Sequence, residues 1–196
     1  MFGDPGTDPY GWGIKPLKEC CDLNPRRPKE LPSDAVFSFV AMPSVGEDGR
    51  VDASILRPYS ELCKGFTYFA ENDVLFAKIT PCMENGKGGI AVGLKNGIGF
   101  GSTEFHVLRP IRGKSDSYWL YIITIFNKFR SDAERAMTGT GGQRRVPLAY
   151  LSEYQIALPP IELQQQFATF VQQLDKSKYF RPLTGYSFRK DGDLCA

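Results

Sequence analysis

Pro159-Pro160 are followed by an apolar stripe, Leu163, Phe167, Phe170, Val171 and Leu174, spaced i, i+4, i+7, i+8 and i+11. Proline is tolerated in a helix's first turn because its missing N–H had no partner there. The pattern predicts a helix over 159–178, with Gln164, Gln165, Gln166, Gln172 and Gln173 filling most other faces. Such a stripe must pack, either on its own domain or on a second helix in a coiled coil. Pro182 and Gly185 interrupt the pattern, so 179–196 reads as an irregular tail.

Upstream the pattern is different. The first 35 residues are rich in Pro and Gly, and NPRRPKELP reads as part of an extended leading arm over 1–35. AVFSFVAM (35–42) looks like a buried strand, and Gly46 and Gly49 supply a turn before a further run at 50–56. FTYFA and DVLFAKI are strand-like runs split at Glu71-Asn72-Asp73, and short strands are expected near 89–94 and 104–108. Asp116 and its flanking serines are expected to cap one helix running to about Met137, with Leu120, Ile123, Phe126 and either Phe129 or Arg130 at helical spacing and Gly139 as the stop. TGTGG follows as a flexible loop, and a turn or short helix and a final strand complete 143–157. The expected class is α+β: one domain over 1–158 with a curved mixed sheet and flanking helices, then a projecting C-terminal helix.

Composition narrows the function. Hydrophobic residues make up 42% and charged residues 23%, an ordinary globular balance. The longest apolar run, 119–126, is too short to span a bilayer, so no membrane partner is expected. No basic stretch precedes an apolar one at the N-terminus, so no secretory leader is expected. Five cysteines without CxxC spacing suit reduced thiols in the cytoplasm rather than a disulfide framework or a zinc site. Net charge is only +2, but 109–145 carries eight Lys/Arg (109, 112, 114, 128, 130, 135, 144, 145) against three Asp/Glu (116, 132, 134). That local basic field suits a phosphate backbone or a merely solvated helix face.

Catalytic signals fail one by one. Pro81-Cys82 is the pairing used by cytosine-C5 methyltransferases, but no Gly-rich cofactor turn follows a strand here; a packed Cys82 is the simpler reading. Leu158 and Ile161 flank Pro159-Pro160, so the amino-methyltransferase motif is absent. Gly113-Lys114-Ser115 mimics the end of a phosphate-binding loop, but Leu108 stands where that loop needs Gly. His106, the only histidine, reads as a structural residue in a strand.

Binding chemistry remains, in two loops. KITPCMENGKG (78–88) displays Lys78, Thr80, Glu84, Asn85 and Lys87. Lysine neutralises phosphate, glutamate can accept from cytosine, and asparagine can pair with adenine. TGTGGQRR (138–145) displays Thr140, Gln143, Arg144 and Arg145 on a backbone that glycines let approach a phosphate closely. A solvent loop and a helix C-cap with linker are the plain alternatives.

In order, ECCDLNPRRP, FVAMPSVGEDGRVD, NDVLFAKITPCMENGKGGIAVGLKNGIGFGSTEFHVLRP and MTGTGGQRRVPLAYLSEYQIALPPIELQQQF resemble target-recognition domains of type I restriction–modification specificity subunits. The resemblance covers about 12–178, and IALPPIELQQQF is its most specific piece. It implies a non-catalytic reader of double-stranded DNA, with Lys78, Lys87, Arg144 and Arg145 on phosphates and Glu84, Asn85 and Gln143 near bases. It implies two such domains per subunit, each reading half of a split site, and paired helices as a ruler between them. Modification subunits bearing S-adenosylmethionine and a restriction subunit using ATP are the implied partners; no cofactor is expected in this chain. Only one domain is present, and MFGDPGTDPYGW resembles the start of a second domain. A half-subunit, a split gene product or a fragment, pairing as a homodimer or with a second half, is the corresponding expectation. A stand-alone methyltransferase using Cys82, or a protein-interaction module acting through its terminal helix, are the rival readings.

Overall fold

A computed structural model describes residues 7–176. The order is β1 (Ile14–Pro16), α1 (Leu17–Cys20), β2 (Cys21–Leu23), β3 (Val36–Val40), β4 (Leu56–Pro58), α2 (Tyr59–Leu62), β5 (Thr67–Ala70), β6 (Val74–Ala77), β7 (Gly88–Ile90), β8 (Ile98–Gly101), β9 (Phe105–Pro110), α3 (Ser117–Ile125), α4 (Asn127–Ala136), α5 (Leu148–Glu153), β10 (Gln155–Ala157) and α6 (Ile161–Lys176). The α+β class is as expected, but two open four-stranded sheets replace the single curved one. The first, β2-β9-β6-β7, is antiparallel throughout; the second, β4-β3-β8-β5, is mixed because β3 and β8 run parallel.

Strand β6 explains the layering. Successive side chains leave a strand on opposite faces. Val74 and Phe76 enter a core with Trp119, Leu120, Ile123 and Phe129 of the helices. Leu75 and Ala77 join Val40 and Phe69 of the second sheet, with Phe105 and Val107 of β9. The first sheet is therefore covered on both faces, so VLFA is continuously apolar rather than alternating. The outer face of the second sheet carries Phe37, Phe39 and Phe100 under Leu62 of α2. On the opposite face, between the sheets, Gly99 leaves room for a ring: a Cβ would stand 2.1 Å from Phe69.

Three expectations change. The leading arm is not extended throughout, because 14–23 form β1, α1 and β2, and Leu17, Cys20 and Cys21 are core residues. β1 pairs with β10, and the Leu17 amide donates to Tyr154 O, so the start is stitched to the end of the domain. The run at 50–56 is mostly irregular, with a bridge at Val51 and the strand delayed to β4. The helix expected from Asp116 to Met137 is two helices. Asp116 does cap α3 by accepting from the Tyr118 amide, but Phe126 leaves helical geometry at φ −66°, ψ 132°. Ile123 and Phe129 would lie about 120° apart on one straight helix; the break lets both bury at 1% exposure.

Helix α6 begins after Pro160 as expected, but its first half docks rather than projects. Gln164, counted among the polar faces, is fully buried. Its Oε1 accepts from the Asp116 amide, and its Nε2 donates to Lys114 O and Pro159 O. Ala168 is buried beside it, and Leu163 and Phe167 pack on the helical core. Phe170 is 50% exposed. The tail expected at 179–196 lies outside the described residues, as does Cys195.

Candidate nucleic-acid interface

The 78–88 loop leaves β6 and winds through a tight turn. The amides of Met83, Asn85 and Lys87 donate to Ile79 O, Pro81 O and Cys82 O, and Gly86 N donates to Met83 O. Thr80 Oγ1 donates to Glu84 Oε1 at 2.7 Å across the turn's mouth. Asn85 is exposed and Lys87 half-buried.

The 138–145 loop follows α4 and returns on itself as a bridge between Thr138 and Arg145. Gly139 has φ +116°, and a Cβ there would lie 2.7 Å from Gln143 O, so only glycine suits the bend. Thr140 and Gln143 are exposed.

The two loops, about 60 residues apart in sequence, are joined. Thr80 N donates to Arg144 O at 3.0 Å, Val146 N donates to Lys78 O at 2.9 Å, and Ile79 bridges Arg145. His106 forms the floor. Its Nε2 meets Val146 O at 2.9 Å and its Nδ1 lies 3.1 Å from Asn24 Nδ2, so the neutral ring donates through Nε2 and accepts through Nδ1. Burial lowers its pKa to about 4.

The nine side chains divide into engaged and open groups. Arg145 forks onto Glu104 at 2.9 and 2.8 Å, which holds Glu104 below the usual carboxylate range. Thr80 and Glu84 engage each other, with Glu84 Oε2 buried and turned inward. Arg144 stands 3.6 Å from Glu84 and 3.8 Å from Glu134, too far for hydrogen bonds. The ammonium groups of Lys78 and Lys87 make no hydrogen bond or ion pair among the described residues.

The basic field of 109–145 is partly paired within the fold. Arg109 forks onto buried Asp73 at 2.8 and 2.7 Å, and Lys128 and Arg135 share Asp132. Arg130 is half-buried beneath the 78–88 turn, with its Nε wholly buried. Acids distant in sequence thus fork onto two of the eight cations, Arg109 and Arg145, and Asp132 pairs with two more on its own helix.

Two features escaped the sequence reading. A cleft of about 290 Å³ beside Lys78 is lined by Asn24, Thr67, Tyr68, Thr103 and Phe105, drawn from both sheets. Arg130 donates to Met83 O and Gly86 O. Neither has a linear signal, since each depends on pairing between distant segments. Catalytic readings gain nothing: Cys82 packs against the core between the sheets, and His106 is committed to Val146 and Asn24. Among the described residues no group of three His, Cys, Asp or Glu could hold a metal, and no helix is long and apolar enough to cross a membrane.

The chain is similar to known proteins along nearly all of this fold. It is 39% identical over 154 residues to the type I restriction enzyme EcoEI specificity subunit of Escherichia coli, covering 78% of this chain and 26% of that protein. It is 36% identical over 160 residues to the EcoAI specificity subunit of the same organism, covering 81% and 27%. The chain therefore spans about a quarter of the length of these curated relatives. The crystal structure of the HsdS subunit from Thermoanaerobacter tengcongensis shares the fold, with a TM-score of 0.64 at 20% identity over 89% of this chain and 44% of that one. The family model for the type I restriction modification DNA specificity domain matches residues 9–179, and the chain belongs to that family.

Proposed function

We propose that this chain is the DNA-reading module of a type I restriction–modification specificity subunit and reads one half of a bipartite site in double-stranded DNA. The observation that supports it most is the joining of the two loops, which gathers Lys78, Lys87 and Arg144 without a hydrogen-bonded acidic partner. Those cations meet phosphates, while Asn85, Gln143 and Thr140 lie exposed beside them to meet base edges. Arg145, Thr80 and Glu84 brace the loops from inside.

The module itself does no bond chemistry. Adenine modification with S-adenosylmethionine belongs to modification subunits, and ATP-driven steps to a restriction subunit, both in the cytoplasm. The open half of α6, from Phe170 onward, serves helix pairing and docking of the modification subunits. The reading unit then takes in the docked first half of α6, to Ala168, rather than stopping at 158.

Mapping methylated adenines in the host genome, with and without this gene, tests the proposal. One split motif is expected to vanish on deletion. An unchanged methylation pattern contradicts it.

A further inference from the structure

Arg130 projects from the middle of α4 into the underside of the 78–88 turn. Its Nη1 donates to Met83 O and its Nη2 to Gly86 O at 3.1 Å. Its guanidinium carbon lies 5.0 Å from the Phe76 ring centroid. The turn is built from helix-type bonds; Met83 O already accepts from the Gly86 amide, and the guanidinium adds a second donor there and one at Gly86 O, where a cation suits the carbonyl end of the turn. The site leaves little slack. A Cβ at Gly88 would sit 2.8 Å from Leu75 O and 3.7 Å from Arg130 Nη2.

This arrangement is expensive. Burial depresses the Arg130 pKa to about 10, and its Nε and Glu84 Oε2 are both buried without a hydrogen-bond partner. A hydrophobic side chain would fill such a space at lower cost than a guanidinium. What the guanidinium adds is geometry: a planar fork fixes two carbonyls at once. The same helix continues into the second loop. Its Glu134 lies 3.8 Å from Arg144, and the Met137 amide donates to Glu134 O just before the Thr138–Arg145 bridge. One helix thus grips the first loop through a side chain and carries the second at its end.

Resting on the DNA-reading proposal above, we propose that Arg130 is a positioning residue for sequence recognition: it holds Asn85 and Lys87 in register with Arg144 without itself meeting DNA. Arg130→Lys keeps the charge and loses the fork; Arg130→Met keeps the volume and loses both.

Two measurements on the full chain test this. Hydrogen exchange of the Asn85, Gly86 and Lys87 amides is expected to quicken at least tenfold in both variants, with amides of β6 and β9 unchanged. Methylated adenines are then mapped in hosts carrying each allele at wild-type abundance. Arg130→Lys is expected to make the methylated motif degenerate at one or more positions. Arg135→Met, on the exposed side of the same helix, is expected to leave exchange and motif as in wild type. Wild-type loop exchange or a wild-type motif in Arg130→Lys overturns the inference, even if Arg130→Met fails to fold. If deleting the gene changes no methylation, the DNA-reading proposal fails and the recognition role of Arg130 falls with it; the exchange data show separately whether the loop contact was real.

Discussion

In the joined loops, two adjacent arginines take different work. Arg145 is forked onto Glu104, whereas Arg144 makes only longer ion pairs, at 3.6 and 3.8 Å to two carboxylates, and no hydrogen bond to either. Helix α6 divides in a similar way, half by half: Gln164 and Ala168 are buried against α3, while Phe170 is 50% exposed. In each region one continuous sequence pattern is split by what the fold places opposite it. The loops are divided by acids from distant strands and helices, which leave open cations. The helix is divided by distance from the domain, which leaves open apolar surface. The first residue chemistry suits an anionic polymer, and the second suits another helix.

The sharpest way to break the contrast within α6 is Gln164→Ala. It strips partners from the Asp116 amide and from two carbonyls, Lys114 O and Pro159 O, at a fully buried site. A loss of about 3 kcal/mol in urea unfolding is expected; a loss under about 0.5 kcal/mol would mean that the docked half is not docked.

Next in size is the floor of the loops. His106 is held neutral with a pKa near 4, below the ordinary 6.5. The unfolded chain therefore binds the proton more readily. This contribution is fully present above pH 6.5 and is lost as pH falls towards 4. About 2 kcal/mol should disappear between pH 7 and 5; Lys78 and Glu104 are the charged groups that act on the ring. His106→Gln should unfold with little pH dependence in that window; an equal slope in both proteins would exclude His106 as the cause.

Smaller again, Phe167→Ala should cost about 1.5 kcal/mol because the ring packs on the helical core. Phe170→Glu should leave stability unchanged yet weaken association with modification subunits or a second helix. Reversed effects would move the boundary between docked and open halves.

Much of the fold was legible because its signals are local. The apolar run at 35–42, the two strands around Asn72, the Asp116 cap and the helix start near Pro159-Pro160 all appear where neighbouring residues dictate them. The break at Phe126 was not, because each i, i+3 step from Leu120 through Ile123 and Phe126 to Phe129 reads as helical by itself, and only the drift accumulated over all of them betrays the bend. Gln164 read as solvent-facing because its three partners lie in the chain turn before α3 and at Pro159. In the interface, both loops were legible from residue type, but not their union. The inward turn of Glu84 depends on Thr80 and Arg144 sharing its space, and no spacing rule encodes that.

The central claim is that the joined loops contact DNA through their open cations and use the others as struts. Salt dependence of DNA affinity, measured on the assembled complex with Arg144→Ala and Arg145→Ala, tests it most directly. Arg144→Ala should bind more weakly, reduce the slope of log affinity against log salt by about one, and unfold like wild type. Arg145→Ala should lower the melting temperature with a nearly wild-type slope. A wild-type slope and affinity in Arg144→Ala would contradict the account.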